Sequence, residues 1–124
     1  MKHSILLKEV QSFLTRYCQQ ERRLSRLTIL SYRDTLKLLL NYIHTQKKKA
    51  HHTIEISDFN YDLVSDFLNH LEKKRNVSVS TRNQRLCAIN SFLRYVLFKH
   101  PDYADTISRA LAVPRKKKIK IPRT

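Results

Sequence analysis

Residues Ser78 to Phe98 read SVSTRNQRLCAINSFLRYVLF, and this stretch decides the fold. It opens with small, polar and basic residues. From Leu86 onward the apolar residues Leu86, Ile89, Leu93 and Val96 recur at spacings of three and four, with Phe92 beside them. That is the period of a helix buried along one side. Ser78 is placed to cap this helix, since its hydroxyl can accept from a free backbone N–H and Thr81 sits at the third helical position. Ser80, Thr81, Arg82, Asn83 and Arg85 then fall on the first turns, where unpaired N–H groups and the positive end of the helix dipole attract anions. The expected object is a helix with an apolar base and a basic tip, suited to a phosphate backbone. Taken alone, the stretch also reads as an ordinary core helix with a solvated start.

A second copy separates these readings. Residues 24–43, LSRLTILSYRDTLKLLLNYI, align with residues 77–96. Ser25 meets Ser78, Thr28 meets Thr81, Leu36 meets Ile89, Leu40 meets Leu93 and Tyr42 meets Tyr95. Both copies carry Arg near the start: Arg26 and Arg33 in one, Arg82 and Arg85 in the other. Apolar matches are common between amphipathic helices, whereas a shared Ser-x-x-Thr and a shared Tyr are less so. The repeat points to two like tasks or to a duplicated helical hairpin.

Composition narrows the class. The chain has 124 residues, enough for one domain with a modest core, and 41% of them are hydrophobic, too many for a disordered tail. It contains no Gly, so turns that need positive φ are expected on Asn or Asp, and a hairpin-rich β fold is disfavoured. Lys and Arg number 25 against 10 acids, a formal charge of +15. Self-repulsion on that scale is relieved by a polyanion, and nucleic acid is the best candidate. A membrane is not expected as partner, because no segment has the length of a span and the cations do not line one amphipathic face. Cys18 and Cys87 read as small buried or half-buried hydrophobes in a reducing, cytoplasmic setting.

In chain order, a first helix is expected over residues 4–20, with Leu6, Val10, Phe13 and Tyr17 as its stripe. The second covers 26–46, with Ile29, Tyr32, Leu36, Leu39, Leu40 and Ile43 inward and Arg26, Arg33 and Lys37 opposite. Tyr32 fits a core ring better than a phosphate contact. Lys47 to His52 read as a mobile hydrophilic loop, and Ile54 to Ile56 as a short extended piece. Asn60 caps a third helix, 61–75. Asp58, Asp62 and Asp66 fall at intervals of four, but acids at the start of this helix and Lys73, Lys74 and Arg75 at its end complement the dipole more simply than they make an acid–base pair or metal site. Pro101 breaks the chain after the 78–98 helix, and 102–112 form a short fifth helix. Arg115 to Lys120 form an extended basic tail.

These residues resemble the N-terminal core-binding domain of the tyrosine recombinase, or phage integrase, family. The likeness runs from about Leu6 to about Lys118. It is carried by Ser25, Thr28 and Tyr32 in one run and by Ser78, Thr81, Arg82, Asn83 and Leu86 in the other, at their mutual separation. The resemblance implies an all-α fold, a four- to five-helix bundle of SAM-like, helical-hairpin type. It implies a DNA-binding domain over 1–113 and a basic interdomain linker over 114–124. In that family the domain packs on one face of duplex DNA, and a catalytic domain of the same parent chain clamps the other. Carried over, Arg26, Thr28, Ser31, Arg33, Ser80, Thr81, Arg82, Asn83 and Arg85 would touch DNA, together with Arg115, Lys116, Lys117 and Lys118 of the linker. Self-association on DNA is a further implication, as is a bacterial, archaeal or phage origin. The family's chemistry uses a Tyr nucleophile, two Arg, a Lys and His in the second domain. Here the sequence stops at Thr124, where that domain would begin, and none of the six Tyr sits in the catalytic motif. The expectation is a domain that binds and positions DNA, with no catalytic residue, metal or cofactor of its own. The alternatives are a helix-turn-helix regulator, a small nuclease working through the Asp residues, and a basic protein-interaction module.

Overall fold

The computed structural model describes residues 5–117. Five α-helices follow in order: α1 (Ile5–Ser12), α2 (Arg26–Lys47), α3 (Tyr61–Lys74), α4 (Val79–Lys99) and α5 (Ala104–Ala110). Short 3₁₀ turns occupy His51–Thr53, Ile56–Asp58 and Pro101–Tyr103, and no strand occurs among the described residues. The fold is an all-α bundle, as the sequence indicates.

α4 is the central element, packed against α2, α3 and α5. Its stripe is buried as the spacing requires: Leu86, Ile89, Phe92 and Val96 are fully enclosed and Leu93 is 1% exposed. Ala88 and Tyr95 are buried too, so the lower part of α4 is enclosed on more than one side. On α2, Leu36, Leu39, Leu40 and Ile43 form the matching face. Phe13 links the halves of the core. Its ring lies 5.4 Å from Phe92 edge-on, 5.5 Å from Tyr95 and 5.9 Å from Tyr32. Tyr32 is therefore a half-buried core ring, with its hydroxyl 3.4 Å from Ser91 Oγ. Such aromatic clusters add to the area term through edge-to-face and offset geometry.

The first helical segment departs from expectation. It continues beyond Ser12, but from Phe13 to Glu21 it is a π-helix. The Arg22 N–H reaches the Tyr17 carbonyl at 2.8 Å, a step of five residues. The wider turn has a packing reason. Phe13 and Cys18, five residues apart, are both fully buried, while Tyr17 is only half-buried. An α-helical register would turn one of the two toward water.

The three helix starts inferred from sequence are built as expected. Ser25 Oγ accepts from Thr28 N at 3.2 Å, Asn60 Oδ1 from Leu63 N at 2.9 Å, and Ser78 Oγ from Thr81 N at 3.1 Å. Asp62 lies in the first turn of α3 and Lys73 and Lys74 in its last. Asp58 precedes that helix and has another job. It is 7% exposed and caps the Ile56–Asp58 turn by accepting from Glu55 N at 2.9 Å. It also receives Lys49 Nζ at 2.8 Å and Lys47 Nζ at 3.4 Å.

That carboxylate corrects the loop reading. α2 runs on through Lys47, and the following residues are pinned rather than loose. His51 Nε2 meets Asn41 Oδ1 at 2.8 Å, and the His44 ring bonds the Lys49 carbonyl. Ile54 and Glu55 are extended, but Ile56 enters a 3₁₀ turn. The gly-free chain also puts positive φ on Arg23 (50°) and Lys48 (51°), residue types not expected there, as well as on Asn76 (55°). Cys18 is buried as anticipated, whereas Cys87 is exposed.

Candidate nucleic-acid interface

The two Ser-x-x-Thr motifs have the same local geometry. In each, the cap hydroxyl accepts from the Thr N–H and also meets the Thr hydroxyl, at 2.9 Å between Ser25 and Thr28 and 3.1 Å between Ser78 and Thr81. Each helix thus begins with one cap satisfied and further N–H groups available at its positive end.

The upper parts of these helices meet. Leu27, Thr28, Ser31 and Tyr32 of α2 share a shallow concavity with Gln84 and Cys87 of α4. One turn along, Arg85 Nη1 donates to Thr35 Oγ1 at 2.9 Å, and Thr35 Oγ1 donates to the Ser31 carbonyl at 3.0 Å. Thr28, Ser31 and Thr35 therefore mark the side of α2 that faces α4. Leu27, Gln84 and Cys87 were not singled out from sequence, because only the crossing of the helices makes them neighbours.

The side of α2 facing solvent is a different row. Arg26, Leu30, Arg33 and Lys37 lie at intervals of four, three and four, and all are exposed. Spaced so, they stand on one face. No ion pair engages these cations among the described residues. On α4 the exposed row is a different one, beginning Ser80, Gln84, Cys87 and carrying Arg94 further down. Its upper part is uncharged.

The α4 arginines lie elsewhere. Arg82 was expected at the DNA surface, but it is 4% exposed. Its Nη1 donates to the Pro114 carbonyl at 2.9 Å and to Asn83 Oδ1 at 3.0 Å, and its Nε lies 3.3 Å from Glu72 Oε1. Asn83 Nδ2 donates to the Lys116 carbonyl at 2.7 Å, and the Lys116 N–H returns to Asn83 Oδ1 at 2.9 Å. Lys116 Nζ pairs with Glu72 at 3.0 Å. The physical reason is that the chain after α5 folds back over the tip of α4, with Val113 buried beneath it. A buried guanidinium is tolerated only with such partners. Arg85 is half-buried on Thr35, and Thr81 is half-buried in its cap. Arg115, Lys116 and Lys117 are exposed, while Lys118 lies outside the described residues. Exposed cations near the two helix starts thus lie on α2 and in the 115–117 segment.

No group of three or more His, Cys, Asp or Glu is placed to hold a metal ion among the described residues. Among the same residues, no helix is long and apolar enough to cross a membrane.

The domain is thus an all-α bundle in which two like-capped helices share a concavity, with cations on the outer face of one and a basic segment folded over the start of the other. Residues 10–100 match the model of the phage integrase N-terminal SAM-like domain, and the chain belongs to that family. It is 37% identical over 116 residues to an integrase/recombinase, y4rC, of Sinorhizobium fredii, and 33% identical over 116 residues to a second, y4rD, of the same organism. These alignments cover 94% of this chain but only 35% and 41% of the two relatives, so the chain spans well under half of their length. No solved structure matches it.

Proposed function

We propose that this chain is the DNA-binding module of a site-specific tyrosine recombinase, holding duplex DNA against the α2 face for a catalytic domain elsewhere in the parent protein. One observation carries the reading: Arg26, Arg33 and Lys37 stand in one exposed row along α2, free of acidic partners among the described residues. Cations spaced along a helix face neutralise successive phosphates and release condensed counterions. Ser31 and Thr28 beside them, with Ser80 and Gln84 across the concavity, supply uncharged donors that fix register. Arg115 and Lys117 extend the footprint past the tip of α4, along a linker that begins near Pro114. The family and the two relatives named as integrase/recombinase support this assignment. Cleavage and rejoining belong to the parent protein, and this module binds and positions.

The test is fluorescence anisotropy of a labelled duplex across a salt series. Charge reversal at Arg26 and Arg33 is expected to weaken binding and to flatten its salt dependence. Unchanged affinity in that variant would refute the reading.

One feature favours a second, protein-contact role. Phe98 is 87% exposed at the far end of α4, beside a groove of about 610 Å³ lined by Arg16, Tyr17, Arg94, Tyr95 and Lys99. Because Phe98 and the Ser78 cap stand at opposite ends of one helix, the two roles separate: Phe98→Ser is expected to leave duplex binding unchanged.

A further inference from the structure

We propose that Arg82 and Asn83 form a receptor for the backbone of residues 114–116, a latch that sets the direction in which the chain leaves this domain. The side-chain amide of Asn83 meets the Lys116 residue at both its polar backbone groups, Nδ2 to the carbonyl at 2.7 Å and Oδ1 from the N–H at 2.9 Å. This is the two-point pairing that one strand offers another, supplied here by one side chain. Arg82 strengthens it, since the same Nη1 holds Asn83 Oδ1 at 3.0 Å and the Pro114 carbonyl at 2.9 Å. A donor that is itself charged shortens and reinforces the bonds it makes. Glu72 closes the cluster from α3, taking Arg82 Nε at 3.3 Å and Lys116 Nζ at 3.0 Å.

The segment is shaped for capture. Val113 is 4% exposed and anchors its start. Pro114 has no N–H to leave unpaired, fixes its own φ and biases Val113 to extended geometry, which lowers the entropy lost on docking. The latch reads backbone at 114 and 116, so it is tolerant of side chain there, apart from Lys116 meeting Glu72. Its consequence is positional. Arg115 and Lys117 are exposed on either side of the gripped residue and are held beside the tip of α4. Arg82 and Asn83 are thus positioning residues for the basic segment. The latch itself stands without DNA; only its use, adding tail cations to the footprint, rests on the recombinase reading.

The experiment is amide hydrogen exchange by NMR on the 124-residue chain without DNA. The Lys116 N–H is exposed in residue terms but bonded to Asn83, so it is expected to exchange about tenfold more slowly than an unstructured amide. Asn83→Ala is expected to remove that protection while leaving the amides of the α4 core protected. If that variant does not fold, Asn83→Ser serves in its place. Arg85→Ala, two residues along, is expected to leave Lys116 protected. Free exchange of Lys116 in the unsubstituted chain would overturn the latch, as would equal loss in the Arg85 variant, which would mean general fraying. Failure of the DNA reading looks different: Lys116 stays protected while duplex binding shows no salt dependence.

Discussion

Replacing Arg82 by Ala separates a folding role from a DNA-contact role at the tip of α4. The side chain is 5% exposed and would vacate its bonds to Pro114 and Asn83 and its contact with Glu72. Breaking a fully buried ion pair costs about 3–5 kcal/mol. Here the cost is smaller, because Glu72 is 20% exposed and keeps Lys116 at 3.0 Å. The Pro114 carbonyl lies at the exposed edge and can recover water. Hydrogen bonds to charged groups contribute roughly 1.5–3 kcal/mol each when no such recovery occurs, so a net loss of about 2 kcal/mol is expected. In a domain of this size that lowers Tm by roughly 8 °C. Arg82→Met keeps the packing of the aliphatic stem and is expected to lose less. The assay is thermal unfolding by circular dichroism, run beside duplex anisotropy at a temperature where both variants are folded. An unchanged Tm with duplex affinity reduced by about 1–3 kcal/mol would refute the reasoning and return Arg82 to the DNA surface.

Other consequences follow from the same contacts. Leu93→Ala is expected to cost about 2–5 kcal/mol in denaturant unfolding, because Leu93 is 1% exposed in the central helix. The Asp58 carboxyl is pushed up by burial, but the Glu55 N–H and the Lys49 and Lys47 ammonium groups outweigh this and hold it below the usual carboxylate value. Its folded pKa lies below its unfolded one, so its contribution is full above about pH 4 and is lost as the pH falls through the folded value. Asp58→Asn should therefore be less stable than the parent at neutral pH and lose less on acidification, as acid-titrated unfolding would show. Burial pushes the Cys18 thiol up to about 11, with Arg22 opposing. Iodoacetamide at mild alkaline pH is expected to label exposed Cys87 in the folded chain and Cys18 only after unfolding, which peptide mass spectrometry distinguishes.

What could be read from sequence here was local. The caps at Ser25, Asn60 and Ser78 depend on residues three apart, and the α4 stripe on a period within one helix, so both appear as expected. The π-helical register from Phe13 was not legible, because it is selected by where Phe92, Tyr95 and Tyr32 leave room for the Phe13 ring. The Lys47–Lys49 run looked loose because its partner, Asp58, lies beyond the turn. The repeat was informative about caps and misleading about arginines. Arg26 and Arg33 keep to the solvent side, whereas Arg82 and Arg85 align with Ile29 and Tyr32, positions on the inward face of α2, and bond to Pro114 and Thr35. The register of the alignment carries that difference; a shared Arg near each helix start does not, because it ignores which face each Arg occupies.

The central claim is that the outer row of α2 binds the phosphate backbone of duplex DNA. The most direct measurement is the slope of log affinity against log salt for the unsubstituted chain and for the combined Arg26→Glu, Arg33→Glu and Lys37→Glu variant. A slope of roughly −4 to −8 is expected for the unsubstituted chain, shallower by about 2 to 3 in the variant as three phosphate contacts are lost. A flat response in the unsubstituted chain, or the same slope in both, would contradict the account.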